Sequence, residues 1–433
     1  MIRRQRRPLP HEDDTQRGCA INLLIIDQDC LGLSYAWRAV AAGHKVKWFI
    51  QPKPSNNLAT GDGFKGIEKI DNWVPAAKWA DLVITTSNDN YLERLDFFRK
   101  QGVPVFGPTQ ASAKLDGMKA LETVPYETFA SMDQARKHVE KTSERYVFKT
   151  VGEKPLTYCS RSPADMVGWI DRMVARGRQP KGQVILQKFI EGIEMAVSRF
   201  LGSEGWVGQW NESFETPGGD VAYFTKESKL GEDTLAKLEE TLVKTGHTGN
   251  VTLELIIDES GKPWPLEWTC RMDWPVANIT LGATEGDPIE WMKDALEGKD
   301  TSTFKEEIGC CIVVAHSDYK SPAESSDVPI YGMTKGNKKH IHPQFVKIDV
   351  LPDMDGEKIV ERPTWNTTGS YAAVVTGFGR DVKQSTERAC KTVAQIHLSG
   401  MIVRDDIGEE LEEQLPKLHE MGYAKHCEFE VAK

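Results

Sequence analysis

At 433 residues, with 39% hydrophobic and 27% charged residues, the chain has the makeup of a globular protein of roughly two to four domains. Its formal net charge of -10 argues against a general nucleic-acid binder, which needs a basic face to neutralise phosphates, but leaves room for a local basic pocket. It has no run of about 18 apolar residues, so no membrane-spanning helix is expected.

Residues 1–18 read as a disordered basic arm. Arg3, Arg4, Arg6 and Arg7 are followed by no apolar segment of the kind a secretory signal needs. A tether for nucleic acid or another polyanion is the functional alternative. From 19 to 112 the pattern is strand, helix, strand. Ile21–Asp27 is an apolar run, Leu33–Ala42 has helical periodicity, and Val46–Ile50 and Leu82–Thr86 are further strands. A helix over Tyr91–Gln101 and a strand over Val103–Phe106 follow. Strands alternating with helices predict an α/β, doubly wound parallel sheet. The turn Asp27-Gln-Asp-Cys-Leu-Gly has a single glycine and is a poor dinucleotide fingerprint.

The second block, 113–304, holds the β-rich stretches Val184–Gly208 and Thr248–Leu266, the latter with the turn Asp258-Glu-Ser-Gly. The third, 305–433, contains the strands Cys310–Ala315 and Tyr371–Thr376, a helix over Ser385–Leu398 and a charged C-terminal helix. The eight cysteines include no C-x-x-C pair, so a reducing cytoplasm is the simplest setting. Cys310 and Cys311 read as strand-core residues. His340 and His342 have no third ligand and read as a solvated edge.

Glu254 and Glu267 carry the chemistry. They lie on strands joined by a tight turn, so alternate side chains of both can enter one cleft, where two carboxylates suit Mg²⁺. Two solvent-facing hairpin residues are the plain alternative. The lysines upstream weigh against it. Lys119 follows Gly107-Pro-Thr, and Lys149 ends the apolar run Tyr146-Val-Phe. A lysine closing an apolar strand is costly unless its ammonium reaches water or an anion. Arg271, close behind Glu267, has a fork of donors matched to a carboxylate or phosphoryl group.

In this order the residues resemble glycinamide ribonucleotide synthetase (phosphoribosylamine–glycine ligase) of the ATP-grasp superfamily, from about residue 20 onward. The family's Gly-Pro element ending in lysine resembles Gly107–Lys119, and its nucleotide-binding strand resembles Tyr146–Lys149. Its Glu-Glu-Phe-Leu-x-Gly-Glu-Glu element resembles Gln187-Lys-Phe-Ile-Glu-Gly-Ile-Glu194, and its metal-bearing Leu-Glu-x-Asn-x-Arg resembles Leu266-Glu-Trp-Thr-Cys-Arg271. Val374-Val-Thr-Gly-Phe-Gly and Arg404-Asp-Asp-Ile-Gly resemble the closing domain.

The resemblance implies an ATP-grasp fold with an N-terminal doubly wound domain, a small lid subdomain at about 122–187 and a C-terminal α+β domain. Carried over, Lys119 and Lys149 touch ATP phosphates. Gln187, Phe189 and Ile190 line the nucleotide hinge, and Glu191 or Glu194 lies near the ribose. Glu254, Glu267 and Thr269 hold Mg²⁺, with Mn²⁺ as an alternative, and Arg271 steadies the transferred phosphoryl group. The implied reaction joins a small-molecule carboxylate, glycine or another amino acid, to an amine through an acyl phosphate. Positioning and electrostatics do most of the work.

Departures cluster around the substrates. The family's N-terminal Gly-Ser-Gly-Gly-Arg-Glu loop is here Asp27-Gln-Asp-Cys-Leu-Gly. The glycine-rich lid is Val151-Gly-Glu-Lys-Pro-Leu-Thr-Tyr-Cys-Ser, with Lys154 as a partial replacement. The metal-site asparagine is Thr269, and the substrate loop is only echoed by Glu215-Thr-Pro-Gly-Gly-Asp-Val-Ala-Tyr223. Trp206, Trp210, Trp268 and Trp274 are candidates for lining a different pocket, with core packing as the alternative. Three readings follow: a ligase with altered substrates, an authentic phosphoribosylamine–glycine ligase, or a nucleotide-binding protein without catalysis.

Overall fold

The computed structural model describes residues 20–115, 121–150, 156–180, 182–316, 326–355 and 357–431. The basic arm, Lys119 and Lys154 lie outside the described residues.

Strands β1 (Asn22–Asp27), β2 (Lys45–Ile50), β3 (Ile67–Lys69), β4 (Leu82–Thr85) and β5 (Val105–Phe106) form a parallel sheet in the order β3-β2-β1-β4-β5. The β1 side chains are buried on both faces because helices cover both. Helix α1 (Leu33–Ala42) packs Leu33, Ala36 and Ala39 against one face, and α2 (Leu92–Lys100) packs Leu92, Leu95 and Phe98 against the other. Gly43 ends α1 at φ 99°, a conformation that costs glycine no Cβ clash.

Next comes a small four-stranded antiparallel sheet, β6 (Tyr126–Phe129), β7 (Tyr146–Thr150), β8 (Thr157–Cys159) and β9 (Val184–Lys188), in the order β6-β9-β7-β8. Tyr146, Phe148, Val184 and Leu186 bury one face against the helices Met132–Val139 and Pro163–Ala175. These residues form a hydrophobic core separate from that of the rest of the molecule.

The largest sheet draws on β10 (Gly192–Leu201), β11 (Trp206–Thr216), β12 (Gly219–Thr225), β13 (Gly249–Asp258), β14 (Pro263–Thr269) and β15 (Ile308–His316). Its order, β14-β13-β10-β11-β12-β15, continues into strands Tyr371–Gly379 and Ile341–Pro343, so it runs across residue 305 without a break. Leu253, Leu255, Met195 and Val197 point from one face into the main core. The alternate residues, Glu254 and Glu194 among them, face a cleft under the small sheet.

Two expectations change. Helix Val382–Val393 starts and stops earlier than periodicity suggests. Asp381 caps it by accepting the Gln384 N–H at 2.7 Å, and His397–Leu398 pairs instead with Ile330 and Tyr331. His342 is buried rather than solvated, with Nε2 3.1 Å from the Thr376 hydroxyl. Cys310 and Cys311 are buried in β15, as expected of strand-core residues.

Candidate active site

The hairpin β13–β14 closes through Asp258. Its carboxylate accepts the Ser260 and Lys262 N–H groups at 2.9 and 3.0 Å and the Trp264 indole N–H at 2.7 Å, and Gly261 takes φ 82°. Glu254 is the register partner of Glu267, and Thr252 of Thr269. The register then slips, so that Leu255 faces Pro265. A bulge of this kind re-aims side chains and is common beside functional sites.

Like charges converge here. Burial pushes the Glu254 carboxyl up to about 7, assisted by Glu267, Glu215, Asp273 and Glu194. Burial also raises Glu194, with Glu215 adding to the shift and Lys149 opposing it. Asp273 rises to about 6 through burial, restrained by hydrogen bonds from Thr252 and Asn250 and by the charge of Arg271. Asp220 is driven well above the usual carboxylate range by burial and then by Glu215, Asp273 and Glu254.

Lys149 answers this charge from the small sheet. It and Val147 alternate with the buried Tyr146 and Phe148, so they occupy the face turned away from the lid helices. Gln187, the register partner of Val147, shares that face. Burial lowers the Lys149 ammonium below its ordinary range, opposed by Glu267, Glu254 and Glu194. Arg271 lies 4.0 Å from Asp273 and donates to the Met272 carbonyl at 3.1 Å.

The nucleotide candidates form the crossing from β9 to β10. The Phe189 N–H donates to the Arg145 carbonyl at 2.9 Å, and the Arg145 guanidinium covers the Phe189 ring at 3.4 Å. That amide is therefore committed within the protein. Ile190 is half-buried. Glu191 and Gly192 open onto a cleft of about 730 Å³ shared with the C-terminal helix Leu411–Glu420.

The structure thus brings Lys149, Glu194, Glu254 and Glu267 to one cleft, with Arg271 next to Asp273, whose charge Glu254 senses. Gln187 is on the lid face above it, and Thr269 is buried beside Glu267 on β14. Of the tryptophans, Trp206 and Trp210 pack on each other in the core, whereas the Trp274 indole N–H donates to Gln344 at 3.2 Å. Sequence reasoning missed Glu215, Asp220, Asp273 and Arg145. Glu215 and Asp220 could have been found, since both stand in the stretch that echoes the substrate loop.

Among the described residues no group of three or more His, Cys, Asp and Glu side chains is arranged to hold a metal. The Glu254–Glu267 pair still fits Mg²⁺, which takes one or two protein carboxylates and completes its shell with phosphates and water.

No protein-family model matches the chain. Phosphoribosylamine–glycine ligase of Vibrio vulnificus (strain YJ016) is 25% identical over 442 residues, covering 90% of this chain and 98% of that one. The crystal structure of phosphoribosylamine–glycine ligase from Thermotoga maritima aligns with a TM-score of 0.61 and 16% identity, over 89% of this chain and 100% of the other. Biotin carboxylase from Campylobacter jejuni aligns at 0.57 with 15% identity, over 94% and 96%.

Fold and site together define the class: the chain has the fold of these ligases. Within that class it is a divergent relative of the phosphoribosylamine–glycine ligases. No helix among the described residues is long and apolar enough to cross a membrane.

Proposed function

We propose that the protein joins a small carboxylate to an amine in an ATP-dependent reaction in the cytoplasm, with a substrate pair other than glycine and phosphoribosylamine. The observation that carries this reading is the approach of Lys149, on the lid sheet, to Glu254 and Glu267 on the large sheet. A cation above two carboxylates is an arrangement suited to a metal-bound polyphosphate.

ATP supplies the phosphoryl group, and Glu254 and Glu267, beside Thr269, would hold the Mg²⁺ that offsets its charge. Lys149 holds phosphate oxygens, while Arg271, at the end of β14, is placed to pair with the carboxylate or the phosphoryl group in transit. Gln187, Phe189 and Ile190 flank the nucleotide, with Glu191 or Glu194 at the ribose. Lys119 and Lys154 are proposed as further phosphate contacts. The carboxylate is activated as an acyl phosphate, and the nitrogen attacks its carbonyl carbon as phosphate leaves.

ADP release across a panel of carboxylates and amines tests this reading. Glu267→Gln should cost at least roughly tenfold in rate, about 1.4 kcal/mol of barrier. If no pair raises ADP release above background and Glu267→Gln changes nothing, the ligase reading is lost.

A further inference from the structure

The second substrate of this site, given the ligase reading above, is constrained by charge. In a parallel α/β sheet the ligand crevice opens at the carboxyl ends of the strands where the strand order reverses, here between β1 and β4. The turn after β1 leads into α1, and amides at such a helix N-terminus ordinarily receive a phosphate.

Here the amides of the turn that leads into the helix are already occupied. Asp27 Oδ1 accepts the Asp29 and Leu31 N–H groups at 3.1 Å each and the Thr86 hydroxyl at 2.8 Å. Its Oδ2 accepts the Gly32 N–H at 2.6 Å and the Trp48 indole N–H at 3.0 Å. Five donors converge on one fully buried carboxylate. A Cβ at position 32 would lie 2.8 Å from Asp27 Oδ2, so glycine permits the close approach. A phosphate entering this turn would meet a carboxylate that already holds the Asp29, Leu31 and Gly32 amides. The adjoining cavity of about 330 Å³, between Cys30, Asn56, Thr60, Phe345 and Thr368, is lined by no charged side chain among the described residues.

At the reaction centre the charge is negative. Glu215 and Asp220 are register partners on β11 and β12, and Asp220 senses Glu215, Asp273 and Glu254. Asp220 is 5% exposed. The Tyr35 hydroxyl, reaching from α1 into the field of Asp273, is buried without a partner among the described residues. A cation with several N–H donors satisfies the carboxylates; a phosphate does not.

We propose that the acceptor is a cationic amine without a phosphate group, admitted through the crevice beside α1 and held by one ammonium group at Glu215, Asp220 and Asp273 while a second, neutral nitrogen attacks the acyl phosphate. A second divalent cation is the competing occupant.

The test separates this inference from the ligase reading. Hydroxylamine, small and uncharged at neutral pH, traps an acyl phosphate as a hydroxamate without needing an ammonium subsite. With a carboxylate identified in that way, amide formation is compared for a diamine, ethanolamine and O-phosphoethanolamine. The diamine should be used best and the phosphate ester at least roughly tenfold worse than ethanolamine in kcat/KM. Asp220→Asn, and Glu215→Gln at an exposed position, should raise KM for the diamine roughly tenfold, against a smaller change in KM for ATP. Equal use of ethanolamine and its phosphate ester overturns the proposal. So do variants that shift the Mg²⁺ requirement and leave the amine KM alone. Absence of hydroxamate with every carboxylate overturns the ligase reading itself, and this inference with it.

Discussion

His247 shows how one buried side chain ties stability to pH. It sits in the loop before β13, with Nδ1 3.1 Å from the Ser112 hydroxyl, and so ties the second block to the end of the parallel-sheet domain. Burial pushes its pKa down to about 4, with the charge of Arg99 adding to the shift. The fold therefore holds the neutral ring, while the unfolded chain takes up a proton near pH 6.5. The stability linked to this group is present above pH 6.5 and is lost as pH falls toward 4. Between pH 7 and pH 5 the loss is about 2 kcal/mol. Urea unfolding at those two pH values should show it, and His247→Gln should reduce the difference. An unchanged pH dependence in the variant would contradict the assignment.

At the scale of elements, the small sheet and its two helices are a unit with their own core. Phe148 is fully buried among Met132, Ala135, Met166 and Ile170, and it belongs to the strand that carries Lys149. Phe148→Ala should cost roughly 3–5 kcal/mol locally. Hydrogen exchange should show lost protection across residues 126–188, while β10 and β13, buried in the main core, keep theirs. Uniform loss of protection across both sheets would mean that the two cores are not independent. The large sheet depends instead on close backbone contacts. A Cβ at Gly192 would lie 2.2 Å from the Ile257 carbonyl oxygen, and one at Gly219 2.1 Å from that of Cys311. These glycines let β10 and β12 lie against their neighbours at the hinge and at the Glu215–Asp220 turn.

For the whole molecule, the small sheet with its own core faces the large sheet across a cleft charged with opposite signs. Mg·ATP bridging Lys149 and the Glu254–Glu267 pair should stabilise the protein by about 2.7 kcal/mol at a hundred times its Kd. The expected readout is a rise in Tm that EDTA reverses, with added exchange protection at both 146–150 and 251–269. Saturating Mg·ATP that left Tm unchanged would rule out a site between the two sheets.

The parallel sheet was legible in the sequence because buried strands are continuous apolar runs and helices repeat with their own period. The order of Lys149, Gln187, Glu254, Glu267 and Arg271 along the chain was legible too, and with it the class of chemistry. Hidden from the sequence was everything that depends on contacts between distant segments. The bulge that sets Glu254 opposite Glu267 is a matter of strand register, which no single strand encodes. Glu215, Asp220 and Asp273 become members of the site only when β11, β12 and the segment after β14 share one sheet face. Asp27 looked like the end of a strand, yet its contacts with Thr86 and Trp48 make it the occupant of a crevice. The sequence by itself determined the elements, because local periodicity carries them, and pointed to ATP-dependent chemistry through its resemblance to a known family. Tertiary structure decided which charges meet, because electrostatic fields add in space rather than along the chain.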